Sequence, residues 1–279
     1  MILVALALAV LVRRGTVEQR DVPTPTLGKG RDIRVYLPPS YKKPEGATRR
    51  YPVVYLLHGW PGSDGNWFGH GHADESADTL IAEGKMPETI LVCPDGNCGL
   101  LGRTLYMNSW DGRCRMEDYI VDDVVPWVDG SYRTIASPSA RGVLGLSDGG
   151  LGAVNLALRH PSVFGACASH SANFVLSRSL GMGAVLGREP GASRLITEYS
   201  PLLTAAAHAT QLRTQVIYFD CGWKDESLGE NRAFHRTLDS LRVPHVYREF
   251  PGSHTWSYWR VHVQQALEVV TAHMARAGP

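Results

Sequence analysis

The chain has no apolar run long enough to cross a membrane. The longest, Ile2 to Val12, falls well short of the about 20 residues that a spanning helix requires, so no stable membrane anchor is expected. As a secretory leader it lacks a basic segment in front and a clear small-x-small cleavage site, and Arg13-Arg14 follow it directly. Two readings stand side by side: a cleaved leader with an extracytoplasmic product, or an ordered N-terminal segment on a cytoplasmic protein. An excess of charge of one sign is also missing. Lys and Arg number 28 against 27 Asp and Glu, a net charge of +1, so no strong field recruits nucleic acid or an anionic membrane. The expected partner is a small molecule.

Cysteine is scarce, at five, and no C-x-x-C pair suggests zinc or a dithiol redox site. The odd count leaves at least one thiol free. Cys98 and Cys114 bracket a polar, Gly-rich stretch, and in an oxidising compartment they can close a disulfide across it. Internal repeats and low-complexity tracts are absent too. What is present is a chain of 279 residues, 44% hydrophobic and 20% charged, enough for one globular domain with a substantial core.

Short apolar runs alternate with helical patterns, which implies an α/β fold with a mainly parallel central sheet flanked by helices. Strands are expected at Ile33–Leu37, Val53–Leu57, Thr89–Cys93, Gly142–Leu146, Phe164–Ser169, Gln215–Phe219 and His245–Phe250. Most are almost wholly apolar, as strands covered on both faces must be. Helical periodicity runs over Ala73–Glu83, Glu117–Val128, Gly149–Arg159, Glu230–Leu241 and Ser257–Ala275. Between Ser171 and Thr210 glycines and Pro190 break any long helix, so residues 171–210 read as a cap-like insertion.

Gly145-Leu146-Ser147-Asp148-Gly149 is the one G-x-S-x-G in the chain. A strand runs straight into the serine and a helix follows at once, the strand-turn-helix context that exposes a nucleophile on a sharp turn. A serine so placed needs two backbone N–H donors for the oxyanion of an acyl-transfer intermediate. One belongs to Asp148, the next residue. The other is assigned to Trp60, in the Gly-rich loop that follows Val53–Leu57 through His58-Gly59. His58 itself precedes the serine and reads as a loop-shaping residue.

In this arrangement an acid and then a histidine follow the serine along the chain, each on a loop after a strand. Of the histidines beyond Ser147, only His254, after Pro251-Gly252-Ser253, meets that condition. For the acid, Asp220 is nearest the strand end and Asp225 lies deeper in the loop. Position alone favours Asp225, with more reach towards His254, and leaves Asp220 as an Asx-type turn residue.

Together these segments resemble the esterase D-type branch of the α/β-hydrolases, the "putative esterase" family. Its members include feruloyl and acetyl-xylan esterases, S-formylglutathione hydrolases and antigen 85 mycolyltransferases. The resemblance runs from about Ile33 to the C-terminus. It rests on Tyr36-Leu37-Pro38-Pro39-Ser40-Tyr41, Tyr55-Leu56-Leu57-His58-Gly59 with Asn66-Trp67, and Pro94-Asp95-Gly96. It continues in Glu117-Asp118-Tyr119, the Ser147 turn, Asp220-Cys221-Gly222 with Asp225, and Pro251-Gly252-Ser253-His254 with Trp256 and Trp259.

The resemblance implies an α/β-hydrolase domain over 15–279 after an apolar segment at 1–14, with Asp225 as the acid and His254 as the base. It implies a cofactor-free serine esterase acting on small acyl or aryl esters, some carbohydrate-linked. An acyltransferase or a thioesterase for S-formylglutathione are the alternatives. Gly59, Trp67 and Trp256 are the expected substrate contacts. No metal is expected, since His70, His72 and Asp74 lie on a Gly-rich loop and read as solvated. One residue departs from the family: a charged Asp148 stands where an uncharged residue is usual, its carboxylate beside developing negative charge.

Overall fold

The computed structural model describes residues 12–99, 102–177 and 182–274, so all of the apolar run Ile2 to Val12 except its last residue lies outside the described residues. The strands are β1 (Thr16–Val22), β2 (Arg31–Leu37), β3 (Val53–Leu57), β4 (Ile90–Pro94), β5 (Arg141–Leu146), β6 (Ala166–His170), β7 (Val216–Gly222) and β8 (Val246–Phe250). They form one eight-stranded sheet in the order β1-β2-β4-β3-β5-β6-β7-β8. From β4 to β8 every neighbour is parallel, while β2 runs antiparallel to both β1 and β4.

Because side chains alternate across a strand, one run of apolar residues feeds two cores. In β3, Val53, Tyr55 and Leu57 face the layer that holds the helix Asp148–Arg159 through Leu151, Val154 and Leu158. Val54 and Leu56 face the opposite layer, built on the helices Ala73–Ala82 and Trp256–Thr271 through Leu80, Val263 and Leu267. With both faces covered, β3, β4 and β5 carry no exposed residue. The loops leaving the carboxyl ends of the parallel strands therefore gather at one edge of the sheet, where open α/β folds place ligands.

Two elements differ from expectation. β1 pairs with β2 over its full length, from Thr16↔Leu37 to Val22↔Arg31. Only Val22 of it is buried, so no alternation marked it in the sequence. The helix expected at Glu117–Val128 is instead a short turn at Met116–Asp118, a wider π-type turn at Tyr119–Val124, and a helix at Val125–Ser131. Pro126 has no N–H to give the carbonyl four residues back, and the wider turn accommodates that loss.

The insertion holds short helices at Gly183–Leu186, Gly191–Glu198, Pro201–Thr204 and Ala209–Leu212. Phe174, Leu176, Leu186 and Leu195 bury it against the sheet layer.

Candidate active site

β5 delivers Ser147 into a backbone conformation that side chains other than glycine seldom adopt, with φ 54° and ψ −120°. The surroundings over-determine it. The Ser147 N–H donates to the His170 carbonyl at 2.8 Å, tying the turn to the end of β6. A side chain at Gly145 would run into the Gly149 carbonyl, and one at Gly149 would strike the Leu57 carbonyl, so these two positions require glycine.

His254 reaches this serine from the loop after β8. Its Nε2 lies 2.9 Å from Ser147 Oγ, and its Nδ1 lies 3.0 and 3.2 Å from the two oxygens of Asp225. A carboxylate only accepts, so Nδ1 carries the proton and Nε2 is left to accept from the serine hydroxyl. The Asp225 carboxylate is buried, and burial opposes its charge. Hydrogen bonds from His254, from the Ser227 amide and hydroxyl at 2.9 and 2.7 Å, and from Ser171 outweigh burial and hold the carboxyl down at about 2.

The Ser227 amide bond makes Asp225 the Asx-turn residue, the role that the sequence assigned to Asp220. Asp220 sits inside β7, fully buried, and accepts from the hydroxyls of Tyr218 at 2.7 Å and Tyr258 at 2.9 Å. His170 Nδ1 completes the set at 2.9 Å. These bonds fasten the last helix to β6 and β7, well inside the protein. Neither His170 nor this cluster was legible in the sequence.

The loop after β3 passes directly over the serine. An added Cβ at Gly59 would lie 3.1 Å from Ser147 Cβ. His58 is buried in a shaping role: Nδ1–H donates to the Gly59 carbonyl at 2.8 Å, and Nε2 accepts the Gly96 amide at 2.9 Å. Trp60 follows Gly59. Asp148 is the first residue of its helix, where N–H groups have no intrahelical acceptor. Trp67 does not face the cleft: it is buried, its indole N–H donates to the Leu57 carbonyl at 2.9 Å, and half-buried Trp256 packs on it edge-on at 5.7 Å. Its bulk supports the β3 loop from below, which corrects the expected substrate contact.

The carboxylate of Asp148 is paired. Arg103 Nε and a terminal nitrogen each donate to one of its oxygens at 2.6 Å, a two-pronged bridge whose side chains are 22% and 9% exposed. Arg103 rides on the loop between Cys98 and Cys114, which are joined as a disulfide with Cα atoms 6.2 Å apart. The loop is pinned a second time where Thr104 donates to the Gly96 carbonyl and Tyr106 to the His58 carbonyl. With Leu105, Leu151, Asn173, Val175 and Leu176, Arg103 lines a cleft beside Ser147. Cys93, Cys167 and Cys221 remain as buried thiols, the last two pushed up to about 12 by burial.

The profile of the putative esterase family matches residues 24–269. An endo-1,4-beta-xylanase/feruloyl esterase of Xylanibacter ruminicola is 33% identical over 158 residues, covering 55% of this chain and 21% of that protein. An esterase of Mycobacterium tuberculosis is 25% identical over 263 residues, covering 84% of this chain and 54% of the relative. The chain thus spans about half or less of these curated relatives. Among solved structures, a ferulic acid esterase superposes with a TM-score of 0.83 at 28% identity, over 93% of this chain and 99% of that one. An S-formylglutathione hydrolase from Agrobacterium tumefaciens shares the fold, with a TM-score of 0.77 at 19% identity over 95% and 97% of the two chains. With its parallel sheet, its glycine-framed turn at Ser147 and this match over most of its length, the chain belongs to the putative esterase family of α/β-hydrolases.

Proposed function

We propose that the protein is a serine carboxylic-ester hydrolase that works through an acyl-enzyme. The observation that carries this is the unbroken hydrogen-bond line from Ser147 through His254 to a buried, ionised Asp225. His254 Nε2 takes the serine proton as Oγ attacks the ester carbonyl, and Asp225 stabilises the imidazolium without taking a proton itself. The Trp60 and Asp148 amides hold the oxyanion. Collapse expels the alcohol, which receives its proton from His254, and water then releases the acid by the same steps.

A small acyl or aryl ester is the proposed substrate. Leu105, Leu151, Val175 and Leu176 give the cleft an apolar wall, and Trp60, 45% exposed, lines an adjoining pocket that shares Arg103, Leu105 and Asp148 with it. Relatives named for feruloyl ester cleavage support an aromatic acyl group. The Cys98–Cys114 bridge supports an oxidising, extracytoplasmic location. No described helix is long and apolar enough to cross a membrane.

The test is hydrolysis of p-nitrophenyl esters of graded acyl length beside methyl ferulate, acetylated xylan and S-formylglutathione, with Ser147→Ala as control. Wild-type turnover of an oxygen ester that vanishes in Ser147→Ala with the fold intact is expected. Turnover of the thioester alone, or a Ser147→Ala variant within tenfold of wild type, refutes the proposal.

A further inference from the structure

We propose that His235, Asp239 and His245 form a binding site for one divalent transition cation of the zinc type, remote from Ser147. His235 and Asp239 are four residues apart on the helix Leu228–Ser240 and so share a face. The turn after that helix returns the chain to His245, at the foot of β8. β5 and β8 point the same way in the sheet, and Ser147 follows the far end of β5, so the two sites lie at opposite edges.

Among the described residues, this is the one group of three or more His, Cys, Asp or Glu whose ligand atoms all fall within 4.8 Å of one another. His245 Nδ1 lies 2.8 Å from the Val243 carbonyl, which can only accept, so Nδ1 holds the proton and Nε2 turns its lone pair towards the group. A backbone carbonyl on the far nitrogen is the support that metal-bound imidazoles ordinarily have. That Nε2 is 2.7 Å from His235 Nδ1 and 3.9 Å from an Asp239 oxygen, and His235 Nε2 is 3.4 Å from the other oxygen. One ion takes a single nitrogen of each imidazole and one Asp239 oxygen, a set whose atoms all lie within 4.8 Å of one another; four-coordinate zinc with bonds of about 2.0–2.1 Å sets its ligands about 3.3 Å apart, so side-chain adjustments bring that set to bonding distance.

Both imidazoles are placed by packing before any ion arrives. His245 stacks on Phe219 with ring centroids 5.6 Å apart, and His235 lies 4.9 Å from the Tyr247 ring. Arg232, one turn before His235, is held by both oxygens of Glu249 at 2.8 and 2.7 Å, and so does not claim Asp239. Two imidazoles and one carboxylate suit zinc and its late transition neighbours better than calcium or magnesium. Exposed Asp239 leaves the outer side for water to complete the shell. A cation here clamps the helix to β8, whose next loop carries His254, so its effect falls on stability.

The full chain, stripped with chelator, is titrated with zinc chloride by calorimetry and by melting, beside His235→Gln, Asp239→Asn and a calcium chloride control. The expected result is one zinc per wild-type chain and a Tm raised by roughly 5 °C at a hundredfold excess over Kd. His235→Gln, a half-exposed position whose loss spares the fold, and Asp239→Asn should each bind at least tenfold more weakly. Absence of zinc binding to wild type, undiminished binding by His235→Gln, or an equal shift with calcium overturns the proposal. None of these readouts depends on ester hydrolysis.

Discussion

Replacing Arg103 with Gln asks whether the carboxylate next to the proposed nucleophile, Ser147, is neutralised during turnover. In wild type, two bonds of 2.6 Å tie the guanidinium to Asp148, the residue whose amide is proposed to hold the oxyanion. Without the guanidinium, a bare carboxylate and the developing oxyanion share a partly dry cleft. For two unit charges about 8 Å apart at an effective dielectric of about 20, the repulsion is about 2 kcal/mol, or a ~30-fold loss of rate. The expected outcome is therefore a kcat/KM for p-nitrophenyl acetate that falls by about that factor. The deficit should shrink as salt is raised towards 1 M, where the screening length is about 3 Å.

Asp148→Asn keeps the amide and removes the charge, so it should stay within about threefold of wild type in kcat/KM. Losing a charged bridge that is mostly sheltered should lower stability by about 2 kcal/mol. The double variant should regain most of the lost rate, because the repelling carboxylate is gone. Wild-type rates in Arg103→Gln, or no recovery in the double variant, would refute the reasoning and reduce Arg103 to a packing residue.

Asp225→Asn should lower kcat by ~10² to ~10⁴, whereas Asp220→Asn should change kcat by less than tenfold and cost about 2–4 kcal/mol, because it unties two tyrosines and His170; urea melts beside kinetics separate the two. The Asp225 carboxyl drops from 3.8 when unfolded to about 2 when folded, so it stabilises fully above pH 4 and loses that contribution as the pH falls towards 2. Acid melts of Asp225→Asn should lack that segment of the curve, and an unchanged acid limb counts against the buried-charge argument. Thiol titration of denatured, unreduced protein should find only Cys93, Cys167 and Cys221; five reactive thiols would rule out the Cys98–Cys114 bridge, whose loss should cost ~3 kcal/mol.

The sheet was legible because parallel strands covered on both faces are written as unbroken apolar runs, and Val53–Leu57 begins and ends where its sequence pattern does. The turn at Ser147 was legible because its glycines stand beside the serine in the chain, where Gly145 meets Gly149 and Gly149 meets the end of β3. The choice between Asp220 and Asp225 was harder. β7 continues to Gly222, beyond the apolar run that ends at Phe219, so Asp220 lies within a strand and its carboxylate points into tyrosine hydroxyls brought from distant segments. Arg103 left no signal either. It meets Asp148 only because a disulfide and two side-chain anchors fold its loop back over the β3 loop. His235 and His245 sit on separate elements, and their approach depends on how the helix and β8 pack.

The polarity that hid β1 from a sequence reading also governs what the sheet can recruit. Among the described residues its two margins are β1 and β8, whose outer backbone groups have no strand neighbour, and such margins template the addition of foreign strands. Along β1 stand Glu18, Arg20 and Asp21, and along β8 Arg248 and Glu249, so a strand docking at either margin would have to strip water from charges of both signs. The apolar segments most able to stack into fibrils, β3 and β5, occupy the middle of the sheet. Among the described residues, the charges along β1 and β8 therefore oppose growth of the sheet from molecule to molecule.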